Sequence, residues 1–124
     1  MIVKHIDEVP SVDWGNGVSR RFLLASDGMG FTVTDTVVTA GTKSHLEYLN
    51  HLEACYCIGG SGQVVDAEGN IHPITPGILY ALDRHDPHFL IASAHEDLRL
   101  VCIFSPALSG VERHSLNDAH TSHY

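Results

Sequence analysis

The sequence is short of cations: 7 Lys+Arg stand against 15 Asp+Glu, a formal net charge of −8 with the 10 histidines neutral. Nucleic acids and anionic membranes are gripped through clustered lysines and arginines, so neither is expected as a partner. Long apolar runs are also missing. No stretch approaches the roughly 20 consecutive apolar residues of a membrane span. The opening residues, Met1 to Glu8, show neither an apolar signal core nor a small-residue cleavage site, so the expected location is cytoplasmic. Cysteines number three, an odd count. Cys55 and Cys57, two apart on one strand, would point the same way, which is poor geometry for a disulfide. Reduced thiols are expected. No repeat or low-complexity linker divides the 124 residues, of which 44% are hydrophobic, so they read as one domain with a single core. Within residues 1–124, the N-terminal segment 1–18 and the polar tail 115–124 read as loose.

What is present is β-rich. Apolar and β-branched runs recur over Arg21 to Ala25, Phe31 to Thr39, Ala54 to Ile58, Gln63 to Asp66, Leu79 to Leu82, Phe89 to Ala92 and Leu98 to Phe104, with Gly, Asp, Asn or Pro in nearly every gap. Gly59-Gly60-Ser61-Gly62 and Asp66-Ala67-Glu68-Gly69-Asn70 read as hairpin turns. Only the N-terminal segment and the stretch after Pro106 leave room for a helical turn. Many short antiparallel strands predict an all-β sandwich or small barrel. Alternate side chains then enter the lumen, so Glu53, Cys55 and Cys57 share a face, as do Leu98, Leu100, Cys102 and Phe104.

Two stretches resemble the paired motifs of the cupin superfamily, whose small β-barrel carries a metal in its mouth. Gly41, Glu53 and Gly60 hold the frame of the first motif, with Glu47 and Leu49 where two histidines would stand. Pro76-Gly77-Ile78-Leu79-Tyr80 matches the second, with Tyr80 in the histidine slot. Of the usual ligands only Glu53 survives. Further strings narrow the resemblance: Ser19-Arg20-Arg21-Phe22-Leu23-Leu24, Asp27-Gly28-Met29-Gly30-Phe31, Asn50-His51-Leu52-Glu53-Ala54, Leu79-Tyr80-Ala81-Leu82-Asp83, His85-Asp86 and Arg99-Leu100-Val101-Cys102 are similar to those of the ectoine synthase family.

The resemblance implies a jelly-roll-like cupin barrel with little helix, acting as a cytoplasmic homodimer on a small-molecule substrate. The implied reaction cyclises N-γ-acetyl-L-2,4-diaminobutyrate to ectoine with loss of water, assisted by Fe2+ or another divalent ion such as Zn2+. The family's metal ligands fall on Glu53, Tyr80 and His88, a carboxylate, phenolate and imidazole set suited to such an ion. The substrate pocket falls on Trp14, Ser19, Arg21, Thr36, Tyr48, Cys102, Phe104, Glu112 and His114, with Asp86 beside His88. Arg21 suits the substrate carboxylate, and Glu112 with His114 is assigned the proton handling alongside Tyr80. One departure touches the pocket. Where the family has Trp-x-Ser-Arg-Arg, this chain inserts residues between Trp14 and Ser19.

Each residue also has a plainer reading. Glu53 is then a lumen carboxylate with a local partner, Tyr80 a core tyrosine, His88 an exposed turn histidine, Glu112 and His114 a charged surface turn. Cys55, Cys57 and Cys102 become small core hydrophobes, and His45, His51 and His85 structural. The rival functions are a non-catalytic cupin binding a small zwitterionic or carboxylate metabolite, and a metal-dependent oxygenase.

Overall fold

A computed structural model describes residues 1–112. The strands are β1 (Ser11–Asp13), β2 (Gly17–Leu23), β3 (Thr32–Val38), β4 (Lys43–Leu46), β5 (Leu52–Gly59), β6 (Gly62–Val65), β7 (Ile71–Ile74), β8 (Leu79–Leu82), β9 (His88–Ala92) and β10 (Leu98–Ser105). They form two antiparallel sheets, one of six strands in the order β1-β2-β3-β10-β5-β8 and one of four in the order β4-β9-β6-β7. Helix among the described residues is confined to two single turns, Ile6–Glu8 and Ala25–Asp27. The first lies in the N-terminal segment as expected, whereas the second precedes β3 rather than following Pro106.

Period-two alternation dictates the interior. Along β5, Glu53, Cys55 and Cys57 are buried while Leu52, Tyr56 and Ile58 are exposed; along β10, Leu98, Leu100, Cys102 and Phe104 are buried. The register pairs Leu100 with Cys57, Cys102 with Cys55 and Phe104 with Glu53. One face therefore runs from wholly apolar to polar along its length. Leu46, Val64, Ile74, Leu82 and Leu90 fill the space from the other strands, each fully buried aliphatic side chain contributing about 1.5–3 kcal/mol.

Three strands escaped the sequence reading. β1 has only three residues and β4, Lys-Ser-His-Leu, a single apolar one, so neither shows an apolar pattern, and β7 contains Pro73, which cannot donate to a ladder. It is tolerated because β7 is an edge strand. Gly59 to Gly62 is not a hairpin. It carries the chain from β5 in the six-stranded sheet to β6 in the four-stranded one. At this corner Gly60 has φ +72°, and a Cβ there would meet the Asp97 carbonyl oxygen at 1.9 Å. The Asp66 to Asn70 turn does close a hairpin, β6–β7, with Asp66 Oδ1 accepting from the Glu68 and Asn70 amides.

Residues 1–18 carry specific contacts. Lys4 Nζ donates to the Phe22 carbonyl at 2.8 Å and pairs with Asp27 at 2.9 Å, and β1 pairs with β2.

Candidate active site

Between the two sheets lies a pocket with about 380 Å³ of empty space, part of it open to solvent. The six-stranded sheet supplies Ser19, Thr36, Glu53, Cys55, Tyr80, Leu100, Cys102 and Phe104; the other sheet adds Leu46 and Leu90, and loops add Trp14 and Tyr48. Eight residues singled out from the sequence thus meet in one chamber: Trp14, Ser19, Thr36, Tyr48, Glu53, Tyr80, Cys102 and Phe104. Cys55 was not among them. Its parity with Glu53 was readable, but its partner Cys102 lies across the sheet.

The inserted residues between Trp14 and Ser19 do not remove Trp14 from this wall. They form the tight β1–β2 connection, in which the Trp14 amide donates to the Gly17 carbonyl at 3.2 Å. The indole Nε1–H donates to the Val37 carbonyl at 3.0 Å, leaving Trp14 4% exposed. Gly17 permits the approach, since a Cβ there would lie 1.9 Å from that same carbonyl oxygen. Gly17→Ala is therefore expected to displace the indole. Trp14 is the sole tryptophan, so its fluorescence should shift to the red; an unshifted spectrum would contradict this packing.

Glu53 is 6% exposed, and burial pushes its carboxyl up from 4.5 to about 8, only partly offset by hydrogen bonds from Cys55, Tyr48 and Cys102. The sign of the consequence is fixed by linkage. Below pH 4.5 the carboxyl is protonated folded or unfolded and costs nothing. Between 4.5 and about 8 the unfolded chain ionises first, so metal-free stability falls as pH rises. Across that window metal-free Glu53→Gln should gain on the wild type by up to roughly 4 kcal/mol, measured by urea unfolding at pH 5 and pH 8. A constant difference between the two proteins would contradict it.

His88 is 2% exposed, not an exposed turn residue. Its Nδ1 lies 2.8 Å from the Asp86 carbonyl. A carbonyl only accepts, so Nδ1 carries the proton and Nε2 presents a lone pair. Nε2 is buried with no hydrogen-bond partner among the described residues, an arrangement that costs about 1–3 kcal/mol unless an electrophile occupies it. Burial holds the imidazole pKa down, favouring the neutral form that binds metals. His88 and Asp86 border a groove next to the cavity, and Tyr80 lines both. The Tyr80 and His88 ring centroids are 6.4 Å apart. An orphaned imidazole nitrogen, a phenol and a buried carboxyl without a cation suit a divalent ion. Around the site His85 Nδ1 binds the Tyr48 carbonyl at 2.7 Å and His51 Nδ1 the Pro106 carbonyl at 2.8 Å, the structural tasks expected of them.

Arg21 and Glu112 stand elsewhere than the sequence suggested, for neither lines the cavity. Arg21 is 0% exposed. Its Nη2 donates to the Glu112 carbonyl, its Nε donates to Ser19 Oγ at 3.3 Å, and its Nη1 lies 3.8 Å from Glu112 Oε1. The Glu112 carboxylate accepts the Ser109 and Gly110 amides at 2.8 and 2.9 Å. Burial opposes ionisation, but these donors prevail and hold its pKa below the ordinary value, which makes it a poor proton acceptor near neutrality. His114 lies outside the described residues.

Comparison with known proteins fits this geometry. The sequence profile described as ectoine synthase matches residues 1–123. An L-ectoine synthase from Desulfatibacillum aliphaticivorans is 47% identical, covering 97% of this chain and 96% of the relative. One from Wolinella succinogenes is 46% identical over 92% and 91%. The crystal structure of ectoine synthase from P. lautus superposes with a TM-score of 0.83 at 46% identity, covering 89% of this chain and 81% of that one. With its cupin barrel and the match along nearly its whole length, the chain belongs to the ectoine synthase family of lyases.

Proposed function

We propose that this protein cyclises N-γ-acetyl-L-2,4-diaminobutyrate to ectoine: the substrate's α-amine attacks its own acetamide carbonyl, and the carbonyl oxygen leaves as water. The observation that carries the reading is the meeting of Trp14, Ser19, Thr36, Tyr48, Glu53, Tyr80, Cys102 and Phe104 around one pocket. Trp14, Tyr48 and Phe104 give it walls that exclude bulk water, so that amine and carbonyl are held together in one folded conformer. Ser19 and Thr36, paired across β2 and β3, offer hydroxyls to the substrate's polar groups. Arg21 braces Ser19, and the proton handling assigned from sequence falls to His114 and Tyr80, since Glu112 serves as a clamp. Glu53, Tyr80 and His88 would hold the iron. When bound, such an ion supplies Lewis acidity for a poor amide electrophile and a departing oxygen.

The test is product. Anaerobically purified protein with ferrous iron should convert the acetylated diamino acid to ectoine, followed by NMR; saturable binding without product would favour the non-catalytic alternative.

The same reading includes a cytoplasmic two-fold dimer. Val18, Leu52, Tyr56, Ile58, Leu79 and Ile103 lie 37–59% exposed on the outer face of the six-stranded sheet, a patch a monomer seldom leaves open. Among them Asp35 bridges Arg20 and Arg99 at 2.6 and 2.7 Å, so this cluster presents one uncompensated positive charge rather than two to a second copy. Light scattering should return twice the chain mass, and a concentration-independent monomer would overturn the dimer.

A further inference from the structure

We propose that the cavity floor carries a second cation position, built from Cys55, Cys102 and Glu53, which takes a thiophilic divalent ion such as Zn2+ and competes with iron for Glu53. The competition rests on the iron assignment above; the position itself does not.

Cys55 and Cys102 are direct partners in the β5–β10 register, so their side chains stand on one face with Cβ atoms about 4.5–5.5 Å apart. Glu53 is two residues along β5 on the same face. The sulfur atoms and a carboxylate oxygen all lie within 4.8 Å of one another, the one such trio of histidine, cysteine, aspartate and glutamate among the described residues. Zinc sits at about 2.3 Å from thiolate sulfur and about 2.0–2.2 Å from carboxylate oxygen, which sets tetrahedral ligands roughly 3.5–3.8 Å apart. Closing the trio around an ion therefore asks for small side-chain rotations within the rigid centre of a sheet. Three protein ligands leave a fourth position to water, and binding releases the two thiol protons to solvent.

The rest of the chain argues against simple core packing of these two thiols. Cys57, also buried, turns its Sγ to the Gly59 carbonyl at 3.4 Å and does not line the cavity. Cys55 and Cys102 do, beside a carboxylate, and among the described residues no lysine or arginine lines that cavity. Soft sulfur donors select zinc, cadmium or cuprous ions, whereas the oxygen and nitrogen set of Glu53, Tyr80 and His88 suits ferrous iron. Because both sets need Glu53, an ion on the sulfur side withdraws one ligand from the other.

Cobaltous ion reports the donor set directly. Titrated anaerobically into the full-length protein, it should give sulfur-to-cobalt charge-transfer absorption in the near ultraviolet, bleached by one equivalent of Zn2+. Cys55→Val should lose at least half of that absorption and Cys57→Ala none; Cys55→Ala is the second variant if the first folds poorly by circular dichroism. Dialysed against equimolar Fe2+ and Zn2+, the wild type should retain zinc, and Cys55→Val should shift the bound ratio toward iron at least tenfold. Cobalt binding without sulfur charge transfer, or a signal unchanged in both Cys55 variants, overturns the site. Charge transfer in a protein that forms no ectoine with iron would leave this site standing and remove the catalytic reading instead.

Discussion

Glu53→Ala should strip the protein of stoichiometric iron and of ectoine formation together while leaving the barrel folded. The carboxylate is turned inward by the alternation of β5, opposite Phe104. Without it, Tyr80 and His88 offer two donors, one of them a phenol that burial holds well above its ordinary pKa. Lewis acidity is worth several kcal/mol of transition-state stabilisation, so turnover should fall by about three orders of magnitude or more. The fold should survive because Glu53 sits in a cavity wall, and its removal relieves an awkward buried carboxyl. Metal analysis and thermal unfolding read both halves. Iron retained at wild-type affinity would sink the ligand assignment.

The second large effect belongs to Arg21. Its guanidinium is fully buried and committed to the Glu112 carbonyl and Ser19 Oγ, joining β2 to the segment after Pro106. Arg21→Ala removes those hydrogen bonds and leaves the Glu112 carboxylate without the guanidinium 3.8 Å away. Breaking one side of a buried charged pair costs about 3–5 kcal/mol. For a domain of this size that is on the order of 10 °C or more in Tm. Arg21→Lys should rescue little, because one ammonium cannot reproduce the fork that reaches carbonyl and hydroxyl together. If Arg21→Ala instead left stability untouched and only raised the substrate concentration needed, the guanidinium would be a substrate ligand, as its sequence position suggested.

These two residues show what the sequence could and could not carry. Glu53 was legible because period-two alternation placed it inward with Cys55 and Cys57, and its motif spacing marked it further. Arg21 was not, since its partner Glu112 lies ninety-one residues on and no local pattern reports such a contact. Glycine marked the turn at Gly59 to Gly62 but not its destination, the second sheet, and the close approach of Gly60 to the Asp97 carbonyl is a long-range contact no local pattern reports. Pro73 hid β7 for the same reason that β7 is an edge. Cys55 was weighed against Cys57 on its own strand, whereas the thiol that matters to it comes from β10. Alternation along one strand is a local property, and the register between strands is not.

Iron held by Glu53, Tyr80 and His88 is expected to make this barrel a catalyst, and not merely to tighten its grip on substrate. An interaction that strengthens ground and transition states equally leaves the catalytic rate unchanged. The measurement that tests this is a parallel determination of turnover and of N-γ-acetyl-diaminobutyrate affinity in iron-loaded and iron-stripped protein. Stripping should cut turnover by about a thousandfold and change the affinity by no more than about tenfold, with re-added ferrous iron restoring both. Turnover and affinity falling by the same factor, or ectoine formed equally well by the stripped protein, would contradict it.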